Sequence, residues 1–137
     1  MAKDLFHEAV KKALEKDGWE ITDDPLILGE LGASVRIDLG AEKLLVASKG
    51  KTKIAVEIKS FLGNSVVNDF NSALGQYLGY LKLLRVKESD RLLYLAVPVD
   101  IQEHIFKIEY YKVMINDYKL KIVIYDPVNE VIVKWIN

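Results

Sequence analysis

From Val66 to about Val86, apolar side chains recur at Val66, Phe70, Ala73, Leu74, Tyr77, Leu78 and Leu81, the spacing that lines one side of a helix. This is the longest predicted element, and Ser65, closing the loop LGNS (Leu62 to Ser65), is placed to cap it. A first helix is predicted over Lys3 to Asp17, with Leu5, Phe6, Ala9, Val10 and Ala13 on one face and Gly18 as its C-terminal cap. Elsewhere the period shortens to two. Trp19 to Thr22 reads as a short strand, which Asp23, Asp24 and Pro25 interrupt before an irregular segment containing Gly29 and Gly32. Ser34 to Leu39 alternates as a strand with Asp38 near its end, and Lys43 to Ser48 continues extended after a bend at Gly40. A turn at SKGK, Ser48 to Lys51, then reverses the chain into a strand over Thr52 to Phe61.

The run RLLYLAVP, Arg91 to Pro98, is continuously apolar after its first residue, as in a strand covered on both faces. Beyond it, Asp100 is expected to cap a short helix toward Phe106, and Ile108 to Asn116 is expected to be helical. LKIVIYDPVNEVIVKWI gives two strands joined by a turn at Asp126, Pro127, Val128 and Asn129. Helix, strands, long helix, buried strand, helices and a C-terminal β-hairpin describe an α/β fold around one mixed central sheet flanked by helices.

The chain has 137 residues, a length that one domain spanning 1–137 accounts for. With 50% hydrophobic and 28% charged residues it has the composition of a globular protein, without repeats or low-complexity tracts. Cysteine is absent, which excludes disulfides, a thiol nucleophile and thiolate metal sites. No run approaches the ~20 apolar residues of a spanning helix and the amphipathic N-terminus is not a signal sequence, so a cytoplasmic protein without a membrane partner is expected. Nineteen basic residues against twenty acidic ones give a net charge of −1, so any contact with DNA must be local. The one basic cluster, KGKTK from Lys49 to Lys53, falls where a turn is predicted and reads as solvated.

Candidate chemistry centres on AVEIKSF, Ala55 to Phe61. Strand geometry puts Ile54, Val56 and Ile58 on one face and Ala55, Glu57 and Lys59 on the other, so a charged pair sits in the middle of an otherwise apolar element. Asp38, ending the strand before the hairpin, can be brought to the same sheet edge. Two carboxylates without cysteine or a histidine pair suit a hard cation, Mg²⁺ or Mn²⁺, rather than zinc. Held by Asp38, Glu57 and the main-chain carbonyl of Ile58, such an ion could polarise a phosphate and activate water, with Lys59 steadying the attacking water or the developing charge. That is the chemistry of phosphodiester hydrolysis. No GxxxxGK pattern occurs, which excludes hydrolysis of the P-loop kind.

An acid, a strand bearing ExK and a following long helix resemble the PD-(D/E)XK nuclease superfamily, which implies a restriction-endonuclease-like fold. In its RecB-like branch a QxxxY pattern follows ExK, and here Gln76 and Tyr80 match it; several branches add an acid on the first helix, where Glu8 stands. Proline often precedes the first acid of the superfamily, whereas Ile37 does here, and 18 residues separate Asp38 from Glu57. Over nearly the full length, DLFHEAV, KDGWEIT, DLGAEKLL, KIAVEIKSFLG, ALGQYLGY, LYLAVP and YDPVNEVIVKW resemble the XisH family, the excision-controlling factors of the fdxN element in heterocyst-forming cyanobacteria. The resemblance implies a role in programmed DNA rearrangement beside a site-specific recombinase, and a small partner protein, XisI; a homo-oligomer is also allowed. It implies either a metal-dependent endonuclease or a non-catalytic interaction module that assists the recombinase through the partner.

The remaining candidates read as structural. His7 and His104 are far apart in sequence and no serine stands in a nucleophile signature, so a hydrolytic triad is not expected and His7 reads as a surface helix residue. Gly75 and Gly79 form a GxxxG that reads as a seat for a neighbouring backbone rather than a membrane contact. Tyr110, Tyr111 and Tyr118 read as packing rather than a base-stacking platform.

Overall fold

The structure, a computed structural model, describes residues 2–45 and 50–137. Its frame is a six-stranded sheet built from β1 (Glu20–Asp23), β4 (Leu39–Leu45), β5 (Gly50–Ile58), β6 (Arg91–Pro98), β7 (Ile122–Asp126) and β8 (Val131–Ile136), in that spatial order. The inner pairs β5–β6 and β6–β7 are parallel and the outer pairs antiparallel, so the sheet is mixed. Helices α1 (Ala2–Lys16), α2 (Val66–Lys87), α3 (Val99–His104) and α4 (Glu109–Asp117) complete the fold with a separate hairpin, β2 (Leu26–Glu30) and β3 (Ala33–Ile37).

Parallel strands need crossovers, and α2 supplies the one between β5 and β6. Its stripe of Phe70, Ala73, Leu74, Tyr77 and Leu84 packs on Ala55, Leu93, Leu95 and Val97, together with the hairpin residues Leu26 and Leu28. The opposite face is covered by α1, whose Ala9, Val10 and Leu14 meet Ile54, Val56, Tyr94, Ala96, Val123 and Tyr125. The central strands are therefore covered on both faces along most of their length, which is why β6 reads as continuous hydrophobicity and why Glu57, on the α2 side of β5, is only 7% exposed.

Local signals explain the element ends. Gly18, at φ +93°, closes α1 with Gly18 N–H on Glu15 O and Trp19 N–H on Leu14 O, both at 3.0 Å, the Schellman arrangement. Ser65 caps α2 by accepting from Asn68 N at 3.2 Å, as predicted. The C-terminal turn is held by Asp126, which accepts from Val128 N and Asn129 N.

Several expectations are corrected. The segment read as irregular around Gly29 and Gly32 is the β2–β3 hairpin, whose Leu26 and Leu28 turn into the α2 core while Ile27 stays outside. Gly40 is no bend: it lies inside β4 opposite Ala55. Asp100 sits in the first turn of α3 but does not cap it; Pro98 takes the N-cap position, with no side-chain hydrogen bond. Leu5 is exposed, and Leu14 joins the buried face of α1 instead. No neighbour occupies the space above Gly75 or Gly79, because both lie on the side of α2 away from its buried stripe. The predicted turn at Ser48–Lys51, the KGKTK cluster and the end of the strand Lys43–Ser48 fall partly outside the described residues. Among those described, no helix is long and apolar enough to cross a membrane.

Candidate functional site

At the C-terminal end of β5 the sheet brings Asp38 beside Glu57. Asp38 sits between β3 and β4, and the β4–β5 register that pairs Leu39 with Val56 carries it to this level. The two carboxylates are locked through the backbone: Ile58 N–H donates to Asp38 Oδ2 at 2.8 Å, and Asp38 N–H donates to Glu57 Oε1 at 3.3 Å. Lys59 Nζ lies 3.5 Å from Glu57 Oε2 and also donates to Gln76 Oε1 on α2. Its backbone extends the parallel pairing one residue past β5, Lys59 N–H donating to Ala96 O at 2.9 Å.

Burial, followed by the charge of Asp38, pushes the Glu57 carboxyl up to about 7, against the pull of Lys59 and the Asp38 amide. Tyr80, half-buried one turn beyond Gln76, has its phenol raised by burial and then by the charges of Glu57 and Asp38, which places it within their field. Of the residues singled out from the sequence, Asp38, Glu57, Lys59 and Gln76 are joined by direct contacts and Tyr80 borders them. Glu8 is exposed on α1, outside that chain of contacts.

The neighbouring residue, His7, read from the sequence as a surface helix residue, reaches the site as well. With Phe6, Asp38, Ile58 and Ser60 it lines a cavity of about 40 Å³, enough for a water molecule. Its Nε2 is 2.7 Å from Asp24 Oδ1, and Lys11 Nζ donates to Asp24 Oδ2 at 3.0 Å. Burial alone would raise Asp24, but the hydrogen bonds from Lys11 and His7, with their charges, bring it below the usual carboxylate range. An ionised carboxylate can only accept, so Nε2 carries the proton and Nδ1 is the other ring position. Nothing in the local sequence joins His7, Asp24 and Ser60; the fold does.

A groove on the other side of the strand end is lined by Lys59, Phe61, Leu62, Gly63, Asp69 and Ser72. Phe61 holds a left-handed φ of +59° there, and Gly63 N–H donates to Asp69 Oδ2 at 2.9 Å. A Cβ on Gly63 would come within 2.5 Å of the Asp69 carboxylate, so any larger residue there must push that carboxylate out of its hydrogen bond to the loop.

Among the described residues, no three His, Asp or Glu side chains are grouped to hold a metal. The donors that could hold one are Asp38, Glu57 and the Ile58 carbonyl, all oxygen. The raised Glu57, two carboxylates in one partly desolvated spot, is an excess of negative charge that a hard divalent cation would relieve, so the residues present fit Mg²⁺ or Mn²⁺.

A mixed α/β domain with its acidic cluster at the end of the central parallel strands is the class defined by fold and site. The chain belongs to the XisH family: the family model described as XisH protein matches residues 1–133. Two crystal structures are close to it. An XisH family protein from Nostoc punctiforme PCC 73102 has 44% identity and a TM-score of 0.90, covering 98% of this chain and 100% of its own. An fdxN element excision controlling factor protein from Anabaena variabilis has 44% identity and a TM-score of 0.89, covering 98% of this chain and 99% of its own. Among curated proteins, none matches the chain.

Proposed function

We propose that this chain is an excision-controlling factor with a single PD-(D/E)XK nuclease-like domain, and that its site hydrolyses DNA phosphodiesters with Mg²⁺ or Mn²⁺. The observation that carries the reading is the backbone-locked pair Asp38 and Glu57, with Lys59 tethered between Glu57 and Gln76. Bound there, the cation would supply Lewis acidity toward a phosphate oxygen and a more acidic water. The residues do the rest. Asp38 and Glu57 present oxygens fixed by backbone amides, so little reorganisation is needed to bind. Lys59, kept from swinging by Gln76, holds a positive charge where the phosphorane charge would develop. Tyr80 and the burial of Glu57 keep the spot partly dry, which strengthens each of these interactions. Glu8, further out on α1, completes the residue set in this proposal as an outer acid.

The test is nicking of a supercoiled plasmid by the purified protein with Mg²⁺ or Mn²⁺, beside Glu57→Gln, Asp38→Asn and Lys59→Met. The reading expects metal-dependent nicking that each variant loses by about two orders of magnitude or more. Calorimetry should show Mn²⁺ binding that Glu57→Gln and Asp38→Asn lose. Absence of Mn²⁺ binding by the wild type sinks the reading.

A second reading is favoured by the net charge of −1, since neutralising several phosphates takes a basic surface. In it the domain is a non-catalytic module that assists a site-specific recombinase through an XisI-like partner protein, which supplies the DNA affinity. The two part company in one experiment: nicking by the protein alone supports the first, and nicking or DNA retention only with the partner supports the second.

A further inference from the structure

A cavity of about 490 Å³ lies away from the carboxylates, between α3, the last turn of α4, the start of β7 and the end of β8. Its floor is apolar and rigid. Phe106 and Leu120 are 6% and 2% exposed, Ile136 packs against the same core, and the Phe106 ring stands edge-on to Phe61 and Phe70 at 6.1 and 6.2 Å. The start of β7 is pinned as well: Leu120 N–H donates to Ile115 O at 3.0 Å, and Lys121 N–H donates at 3.3 Å to the Tyr77 hydroxyl, which donates to Leu93 O.

The rim is basic. Lys112, Lys119 and Lys121 line it, and none of the ten lining residues is acidic, in a chain whose acids outnumber its bases. Lys11, Lys12, Lys51, Lys59 and Lys87 each reach a carboxylate; among the described residues these three reach none. The C-terminal end of α4 contributes roughly half a negative charge to the wall and the main-chain carboxylate that Asn137 bears where it ends the chain about one more, which three full positive charges outweigh. The carboxamides of Gln102 and Asn116 add paired donors and acceptors above the apolar floor.

An apolar floor that includes one aromatic ring, two carboxamides and three lysines define the chemistry of an occupant. It has a flat, partly apolar body with hydrogen-bonding edges and carries more than one negative charge. A carboxylate brings one charge, whereas a phosphate monoester brings about −1.5 to −2 and three acceptor oxygens. The cavity size falls within the range of about 300–1,000 Å³ typical of small-molecule sites. We propose that this cavity binds a nucleotide through its terminal phosphomonoester, with the phosphate on Lys112, Lys119 and Lys121 and the base against Phe106, Leu120 and Ile136. The same chemistry comes from a free mononucleotide or from the 5′-phosphorylated end of a DNA strand. The site stands whether or not the carboxylates cut.

Backbone NMR of the labelled full chain tests this with four probes: dAMP, deoxyadenosine, a short oligodeoxythymidine with a 5′-phosphate, and the same strand with a 5′-hydroxyl. Shifts clustered at 119–122 and 136–137 with dAMP alone support a free-nucleotide site. The same shifts with the 5′-phosphorylated strand, but not the 5′-hydroxyl one, support a strand-end site. Lys119→Glu with Lys121→Glu should weaken binding at least about tenfold, the neutral Gln pair by less, while Glu57→Gln leaves it unchanged. No clustered shifts up to about 10 mM dAMP or with either strand, equal binding of deoxyadenosine and dAMP, or binding indifferent to the lysine changes each overturns the proposal.

Discussion

Asp38 and Glu57 are locked to one another through main-chain amides: Asp38 N–H donates to Glu57 Oε1, and the amide following Glu57 donates to Asp38 Oδ2 at 2.8 Å. This arrangement holds two negative charges together in a spot where Glu57 has little water to help it.

A pH dependence follows. The folded-state value for Glu57, about 7, lies above its ordinary 4.5, so between these values the folded chain binds more protons than the unfolded one. Its contribution is fully present below about 4.5 and is lost as pH rises through 7. In chelator, Glu57→Gln should match wild type near pH 4.5 and exceed it at pH 8 by on the order of 2 kcal/mol, several degrees in Tm. Parallel Tm curves for the two proteins between pH 4.5 and 8 would rule this out. Mn²⁺ should selectively restore the wild type at pH 8.

The open glycines of α2 offer a gain. Gly75 and Gly79 are mid-helix, and a Cβ at either would meet nothing within 4 Å. Replacing glycine by alanine in an exposed helix interior adds about 0.5–1 kcal/mol each, so the double Gly75→Ala, Gly79→Ala chain should melt a few degrees higher. A lower Tm for the isolated protein contradicts the geometry.

Gly40 behaves oppositely. A Cβ there would stand 2.7 Å from Asp23 Oδ2, 3.1 Å from Asp23 Cβ and 3.0 Å from Arg91 Nη1. Arg91 is 7% exposed and donates to Ile54 O at 2.9 Å and to Glu88 Oε1 at 3.0 Å. Gly40→Ala should cost about 1–3 kcal/mol by denaturant unfolding, and less in an Asp23→Ala background. An equal cost in both backgrounds would place the strain elsewhere.

Tyr125 is fully buried and its hydroxyl has no partner among the described residues, while burial and then the charge of Asp100 push the phenol above its ordinary range. Removing an unsatisfied hydroxyl without changing shape should stabilise, so Tyr125→Phe is expected to gain about 1 kcal/mol. A loss of similar size would mean that the hydroxyl is satisfied by water.

Legibility in the sequence followed locality. The stripe of α2, the buried run of β6, the turn at Asp126 and the Gly18 cap all signal within a few residues, and they stand where the pattern put them. The β2–β3 hairpin was hidden because its strands are short and their glycines resemble breakers; what makes them strands is burial of Leu26 and Leu28 against a helix some fifty residues later. Asp38, Glu57, Lys59 and Gln76 could be suspected because hairpin register and strand-to-helix order constrain where they go. The meeting of His7 with Asp24 and Ser60 could not, since only the docking of α1 sets His7 against Asp24 and into the cavity that Asp38 and Ser60 also line. Buried Arg91 was equally silent, its partners being a main-chain carbonyl of the neighbouring strand and acids from two other segments.

The hairpin and the single crossover that gather the site also fix when it can assemble during synthesis. Asp38, Glu57, Lys59, Gln76 and Tyr80 all emerge before the first residue of β7, and the contacts among them span one hairpin and one helix. Of the elements described, α1 leaves the ribosome before the others, yet its floor includes Val123 and Tyr125, and its Lys12 meets Glu130 at 3.7 Å. It is therefore seated only after later elements have emerged, and the wall that His7 adds to the carboxylate site arrives only when β7 and β8 do.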